Sequence, residues 1–127
     1  MIKIEMNRLF LTRKPYDLKA SEARFVAAMR ENAVYQYEHC PDYKRILDEA
    51  GFDPQSIESL DDLSRLPFLP TVYLKHHKMY SMPKGAILIK ATSSGTSSGV
   101  KSEIGFDAGS LLRGLCMVIT VGKYHHL

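Results

Sequence analysis

Apolar positions recur at helical spacing through the first two thirds of the chain and then give way to short, dense apolar runs. Across residues 21–38, SEARFVAAMRENAVYQYE, there is no Gly or Pro, and Phe25, Met29, Ala33 and Tyr37 fall on every fourth position with Val26 and Val34 beside them. This predicts an amphipathic helix with Ser21 as its N-cap. Pro41 suits the first turn of a second, short helix whose apolar face is Tyr43, Ile46, Leu47 and Ala50, and Gly51 stands where helices often end in a left-handed residue. After the turn signal Asp53-Pro54, Ser59 is an N-cap with Asp62 three residues on, Leu60, Leu63 and Leu66 share one side, and Pro67 ends the helical turn. One more short helix is expected between Pro70 and Pro83.

Pro83 and Gly85 punctuate the chain before AILIKAT, an apolar heptad that reads as a strand. SEIGFD, from Ser102 to Asp107, is bounded by Gly and reads as a second strand returning as a hairpin, and AGSLLRGLCMVITVGKYHHL begins like a buried helix or strand. The expected fold class is α/β: a mostly helical segment over residues 1–85, then strand, loop and strand over 86–127 as the start of an α/β subdomain.

Composition narrows the function classes. The 127 residues fit one domain, and Lys+Arg 17 against Asp+Glu 14 gives a formal charge of +3 with basic and acidic residues interspersed. Nucleic acid is not the expected partner. The 2 Cys, Cys40 and Cys116, lack paired spacing and read as reduced thiols, with Cys116 a buried apolar residue and Cys40 at a helix junction. No stretch reaches the ~18 apolar residues of a membrane span, and the N-terminus lacks a signal-peptide core, so the expected location is the cytoplasm.

The chemistry-bearing stretch is ATSSGTSSGVKSEIGFD, residues 91–107. Ser93, Ser94, Thr96, Ser97 and Ser98 supply hydroxyls, Gly95 and Gly99 permit positive φ, and Lys101 supplies a positive charge, which together suit an anion cradle for phosphate. The same composition also suits a flexible hairpin tip. A Walker A loop is disfavoured: Val100 stands where that motif needs its second Gly, and a strand rather than a helix follows.

The order Ser93-Ser94-Gly95-Thr96 resembles the Ser-rich ATP-phosphate loop of adenylate-forming enzymes, although three residues rather than two separate Gly95 from Gly99. Upstream, Pro41, Tyr43, Leu47, Asp48-Glu49-Ala50-Gly51, Asp53-Pro54, Ile57, Ser59-Leu60-Asp61-Asp62-Leu63 and Leu66-Pro67-Phe68 resemble the N-terminal part of phenylacetate-CoA ligase-like and acyl-protein synthetase (LuxE-like) enzymes. The exit Ser102-Glu103-Ile104-Gly105-Phe106-Asp107 favours the acyl-protein synthetase branch.

This resemblance implies an ATP-dependent acid–thiol ligase that activates a carboxylic, expectedly fatty, acid as an acyl-adenylate. It implies ATP and Mg²⁺ as cofactors, and a protein cysteine or coenzyme A as the acyl acceptor. Ser93, Ser94, Gly95, Thr96, Ser97, Ser98, Gly99 and Lys101 would hold ATP phosphates. The resemblance places the catalytic residues outside this chain, which is expected to be an N-terminal fragment, inactive alone and prone to self-association. The alternatives are a fragment of an aryl-CoA ligase and a non-catalytic helical interaction module.

Other conspicuous residues carry simpler readings. His76–His77 and His125–His126 are adjacent pairs without the i, i+4 spacing of helical metal ligands, and no metal site is expected. Asp61 and Asp62 favour the positive end of a short helix. Tyr35, Tyr37, Tyr43, Phe52 and Phe68 are read as packing residues of the helical front.

Overall fold

The computed structural model describes residues 4–12, 16–93 and 99–126. Six α-helices lie among them: α1 (Ile4–Phe10), α2 (Leu18–His39), α3 (Pro41–Glu49), α4 (Leu60–Ser64), α5 (Tyr73–His76) and α6 (Ala108–Tyr124). Two strands, β1 (Ile89–Thr92) and β2 (Glu103–Phe106), form a two-stranded antiparallel sheet between α5 and α6. The chain is thus mixed α and β, mostly helical, with the helices before the hairpin and one long helix after it.

The central helix begins one turn earlier than its apolar pattern suggests. Asp17, not Ser21, is the N-cap: its carboxylate accepts the Ala20 amide at 3.1 Å, and Ser21 lies inside the first turn with its hydroxyl donating to the Leu18 carbonyl at 3.2 Å. An ionised cap is the stronger acceptor for the unpaired amides at a helix start. At the other end Cys40 closes α2, its amide donating to Gln36, and also opens α3 ahead of Pro41. The junction residue is nearly inaccessible, 2% exposed.

The end of α3 is a complete Schellman turn. The Phe52 amide donates to the Leu47 carbonyl at 3.0 Å and the Gly51 amide to Asp48 at 3.1 Å, which requires Gly51 to adopt φ +62°. The expected left-handed glycine is present. Asp53 then accepts the Gln55 amide to start a 3-10 turn over Pro54–Ser56. The capping box before α4 is also present, Ser59 taking the Asp62 amide while the Asp62 carboxylate takes the Ser59 amide at 2.9 Å.

The core is small and lies on one side of α2. Val26, Ala33 and Ile57 are buried together, with Phe52, Leu63 and Leu66 packed against them. Leu47, Ala28 and Cys40 are buried as well. Phe25, on the apolar face predicted for this helix, and Phe68, read from the sequence as a packing residue, are exposed, Phe68 to 86%. Phe68 lies between two prolines, where no helix turns its ring back to the core.

The helix α1, which no sequence pattern marked, lies along α2, and the Met6 amide donates to Glu31 at 2.8 Å. Helix α6 starts at Asp107, whose carboxylate accepts the Ser110 amide at 2.7 Å. It is the helix of the two readings left open by the sequence, but it is not buried: none of its residues is, and Leu112, Leu115, Val118 and Ile119 face outward. Cys116 is accordingly half-buried rather than core.

Candidate functional site

The Ser-rich stretch connects β1 to β2. The strands pair in one register, Ile89 with Phe106, Lys90 with Gly105, Ala91 with Ile104 and Thr92 with Glu103. Four residues of AILIKAT form the strand; Ala86 belongs instead to a 3-10 turn over Lys84–Ala86 that delivers the chain to it. Beyond Thr92 the register continues through a two-bond pair, in which the Ser93 amide donates to the Ser102 carbonyl at 3.1 Å and the Ser102 amide donates to the Ser93 hydroxyl oxygen at 3.0 Å. One hydroxyl assigned to phosphate from the sequence is therefore engaged in closing the connection.

Of the eight residues expected to hold phosphate, Ser94, Gly95, Thr96, Ser97 and Ser98 lie outside the described residues. Ser93, Gly99 and Lys101 are described. Gly99 has φ +68°, the left-handed region that its sequence position suggested, with nothing within 4 Å of where a Cβ would stand. Lys101 is exposed and forms no ion pair among the described residues.

At the root of the hairpin lies a cluster that sequence reading did not single out. Glu103, the first residue of β2, accepts a hydrogen bond from the Tyr80 hydroxyl at 2.9 Å and an ion pair from Lys78 at 3.3 Å. Tyr80, then Lys78, hold the Glu103 carboxylate below its ordinary pKa, and the same contact raises that of Tyr80. Glu103 lies 23 positions from Tyr80 and further still from Lys78, so no local spacing could have joined it to them. Segment 77–83 is tied in turn to α2, where the Tyr35 hydroxyl donates to the Ser81 carbonyl at 3.2 Å.

Two further features belong to the hairpin and its surroundings. A Cβ on Gly105 would come within 3.1 Å of the Ile87 side chain, so the absence of a side chain there lets β2 cover Ile87. Behind β2 is a cleft of about 420 Å³ lined by Asn32, Tyr80, Met82, Glu103, Phe106 and Arg113 among others. The Arg113 guanidinium donates to Asn7 at 3.4 Å and to Ser110 at 3.2 Å, joining α6 to α1. A separate apolar groove of about 620 Å³ runs between α1, α2 and α6, lined by Leu9, Phe25 and Met117, and bears none of the Ser-rich residues.

The histidines and thiols do not converge. His39 stacks on Tyr35 at 4.2 Å and His77 on Tyr73 at 3.9 Å, both one helical turn from their partners. No group of three His, Cys, Asp or Glu able to hold a metal ion occurs among the described residues.

Residues 1–125 match the acyl-protein synthetase, LuxE, family. The chain belongs to that family. Over 86 residues it is also 34% identical to the phenylacetate-coenzyme A ligase of Thermus thermophilus, a match that covers 65% of this chain and 19% of that protein. The chain thus spans about a fifth of the length of that relative. The resemblance to both branches noted in the sequence is borne out. No helix among the described residues is long and apolar enough to cross a membrane.

Proposed function

We propose that this LuxE-family chain forms the phosphate-holding front of an ATP-dependent ligase that joins a carboxylic acid to a thiol. The reading is carried by one observation: in a chain that matches the family over residues 1–125, the Ser-rich stretch joins two paired strands whose last bonds are between Ser93 and Ser102. Residues 1–85 form the helical support and residues 86–127, with β1, β2 and α6, the start of an adenylate-forming large domain.

In this reaction a carboxylate oxygen of the acid attacks the α-phosphorus of ATP. The bond to pyrophosphate breaks and an acyl-adenylate forms. A thiol then attacks the acyl carbon, releasing AMP and leaving a thioester. The barrier to the first step is set largely by charge on the triphosphate, and oriented donors lower it without reorganising. Ser93, Ser94, Thr96, Ser97 and Ser98 are assigned as hydroxyl donors, Gly95 and Gly99 as the positions at which the backbone bends around the anion, and Lys101 as its counter-charge. No catalytic residue is assigned within the chain.

The described residues offer no metal-holding group of their own. Mg²⁺ in such sites is held mainly by substrate phosphates. The acid is assigned as a fatty acid and the thiol as a protein cysteine, in keeping with the family; coenzyme A is the second reading, favoured by the phenylacetate-coenzyme A ligase relative. The location assigned is the cytoplasm. The outward apolar face of α6 is assigned a role in self-association of the isolated chain, since burial of such surface is favourable in water.

Titration calorimetry of the chain with Mg-ATP tests this reading. Saturable binding that Lys101→Ala weakens about tenfold supports it. Heats indistinguishable from dilution at millimolar nucleotide would leave a helical interaction module as the better description.

A further inference from the structure

A two-stranded hairpin is marginally stable by itself, and here all four residues of β1 are exposed. Its orientation must come from contacts beyond the ladder. Glu103 is the partner of Thr92 in the last pair of the sheet, immediately before the Ser93–Ser102 bonds that close the connection. Its carboxylate is bound by Tyr80 at 2.9 Å and Lys78 at 3.3 Å, both from a segment that Tyr35 anchors to α2. A rotation of β2 at Glu103 would therefore move Ser93, Ser102 and Lys101 together.

We infer that the Tyr80–Glu103–Lys78 cluster is a clasp that orients the base of the hairpin, with Glu103 as a positioning residue for Ser93, Ser102 and Lys101 and, through them, for the proposed anion. The inference rests on the proposed phosphate role for its ligand, but not for its geometry. Charge gives the clasp a second consequence. A carboxylate at the base of an anion site repels the ligand unless it is neutralised, and Lys78 supplies that neutralisation. Lys78 is thus the counter-charge of Glu103, whereas Lys101 makes no ion pair among the described residues and is left for the ligand.

Two measurements on the chain separate the clasp from the phosphate reading. The first is amide hydrogen exchange without nucleotide. Tyr80→Phe removes the hydroxyl alone and is expected to speed exchange at Ser93 and Ser102 roughly fivefold, with α2 amides unchanged. Unchanged exchange at both amides overturns the clasp. The second is Mg-ATP affinity at low salt for Lys78→Met, Glu103→Gln and the double variant. Gln retains an acceptor for Tyr80 while removing the charge, so Lys78→Met is expected to weaken binding about threefold and the added Glu103→Gln to restore it. A purely structural role predicts no such restoration, and a double variant as weak as Lys78→Met overturns the positioning role. If the unaltered chain binds no Mg-ATP, the phosphate reading fails, and with it the positioning role, while exchange still decides the clasp.

Discussion

Ile57 is the residue on which the helical front most depends. It sits in the extended link between the 3-10 turn and α4, 1% exposed, in contact with the cluster that Val26 and Ala33 form with Phe52, Leu63 and Leu66. Among the described residues the buried hydrophobic set is Val26, Ala28, Ala33, Cys40, Leu47 and Ile57, so large side chains at full burial are few. Ile57→Ala removes three carbons, worth about 2.4 kcal/mol at ~0.8 kcal/mol per buried methylene. The cavity left behind brings the expected loss to about 3 kcal/mol, within the ~2–5 kcal/mol range for such truncations. In urea, with a slope of about 2 kcal/mol per molar, the unfolding midpoint should fall by roughly 1.5 M. Ile57→Val should lose only about 1 kcal/mol. Ile104→Ala, at a residue 53% exposed, should stay within about 0.5 kcal/mol of the parent. A loss below about 1 kcal/mol for Ile57→Ala would refute the location of the core, because it would mean that the site collapses freely or was never sealed.

Two other outcomes follow from local geometry. Asp62 is held down to about 2, first by the Ser59 hydroxyl, then by the Glu58 amide and by Arg65. Because its folded pKa lies below the ordinary value of about 3.9, its contribution is complete above that pH and is lost as pH falls from about 3.9 towards 2. Melting temperature followed by circular dichroism should therefore drop more steeply through this window in the parent than in Asp62→Asn, and parallel acid limbs would contradict the capping-box assignment. Gly105→Val should loosen the hairpin by about 1–3 kcal/mol through overlap with Ile87, and Ile87→Ala in the same chain should recover part of that loss in the urea midpoint.

Much of the front was legible because its signals are local. The Gly51 turn, the Ser59–Asp62 box and the Asp53-Pro54 turn each occupy fewer than about a dozen residues, and their hydrogen bonds are made by groups a few positions apart. The misreadings share the opposite cause. The start of α2 moved because Asp17, one turn earlier, is as capable a cap as Ser21, and caps compete across neighbouring turns. Phe68 and the apolar residues of α6 looked like core because composition records apolarity and not what lies opposite. Nor could the candidate site be read beyond its loop. The Tyr80–Glu103–Lys78 cluster forms only when the hairpin folds against segment 77–83, and no periodicity in the chain encodes that contact.

The burial of Cys40 at the α2–α3 junction has a practical consequence. The chain carries 2 Cys, one sealed to 2% exposure where two helices meet and the other, Cys116, half-exposed on α6. A thiol reagent therefore meets two clocks in one molecule. Cys116 is modified at a rate set by its own accessibility, whereas Cys40 waits for the junction to open, so the ratio of the two rates measures the free energy of parting α2 from α3 without denaturant.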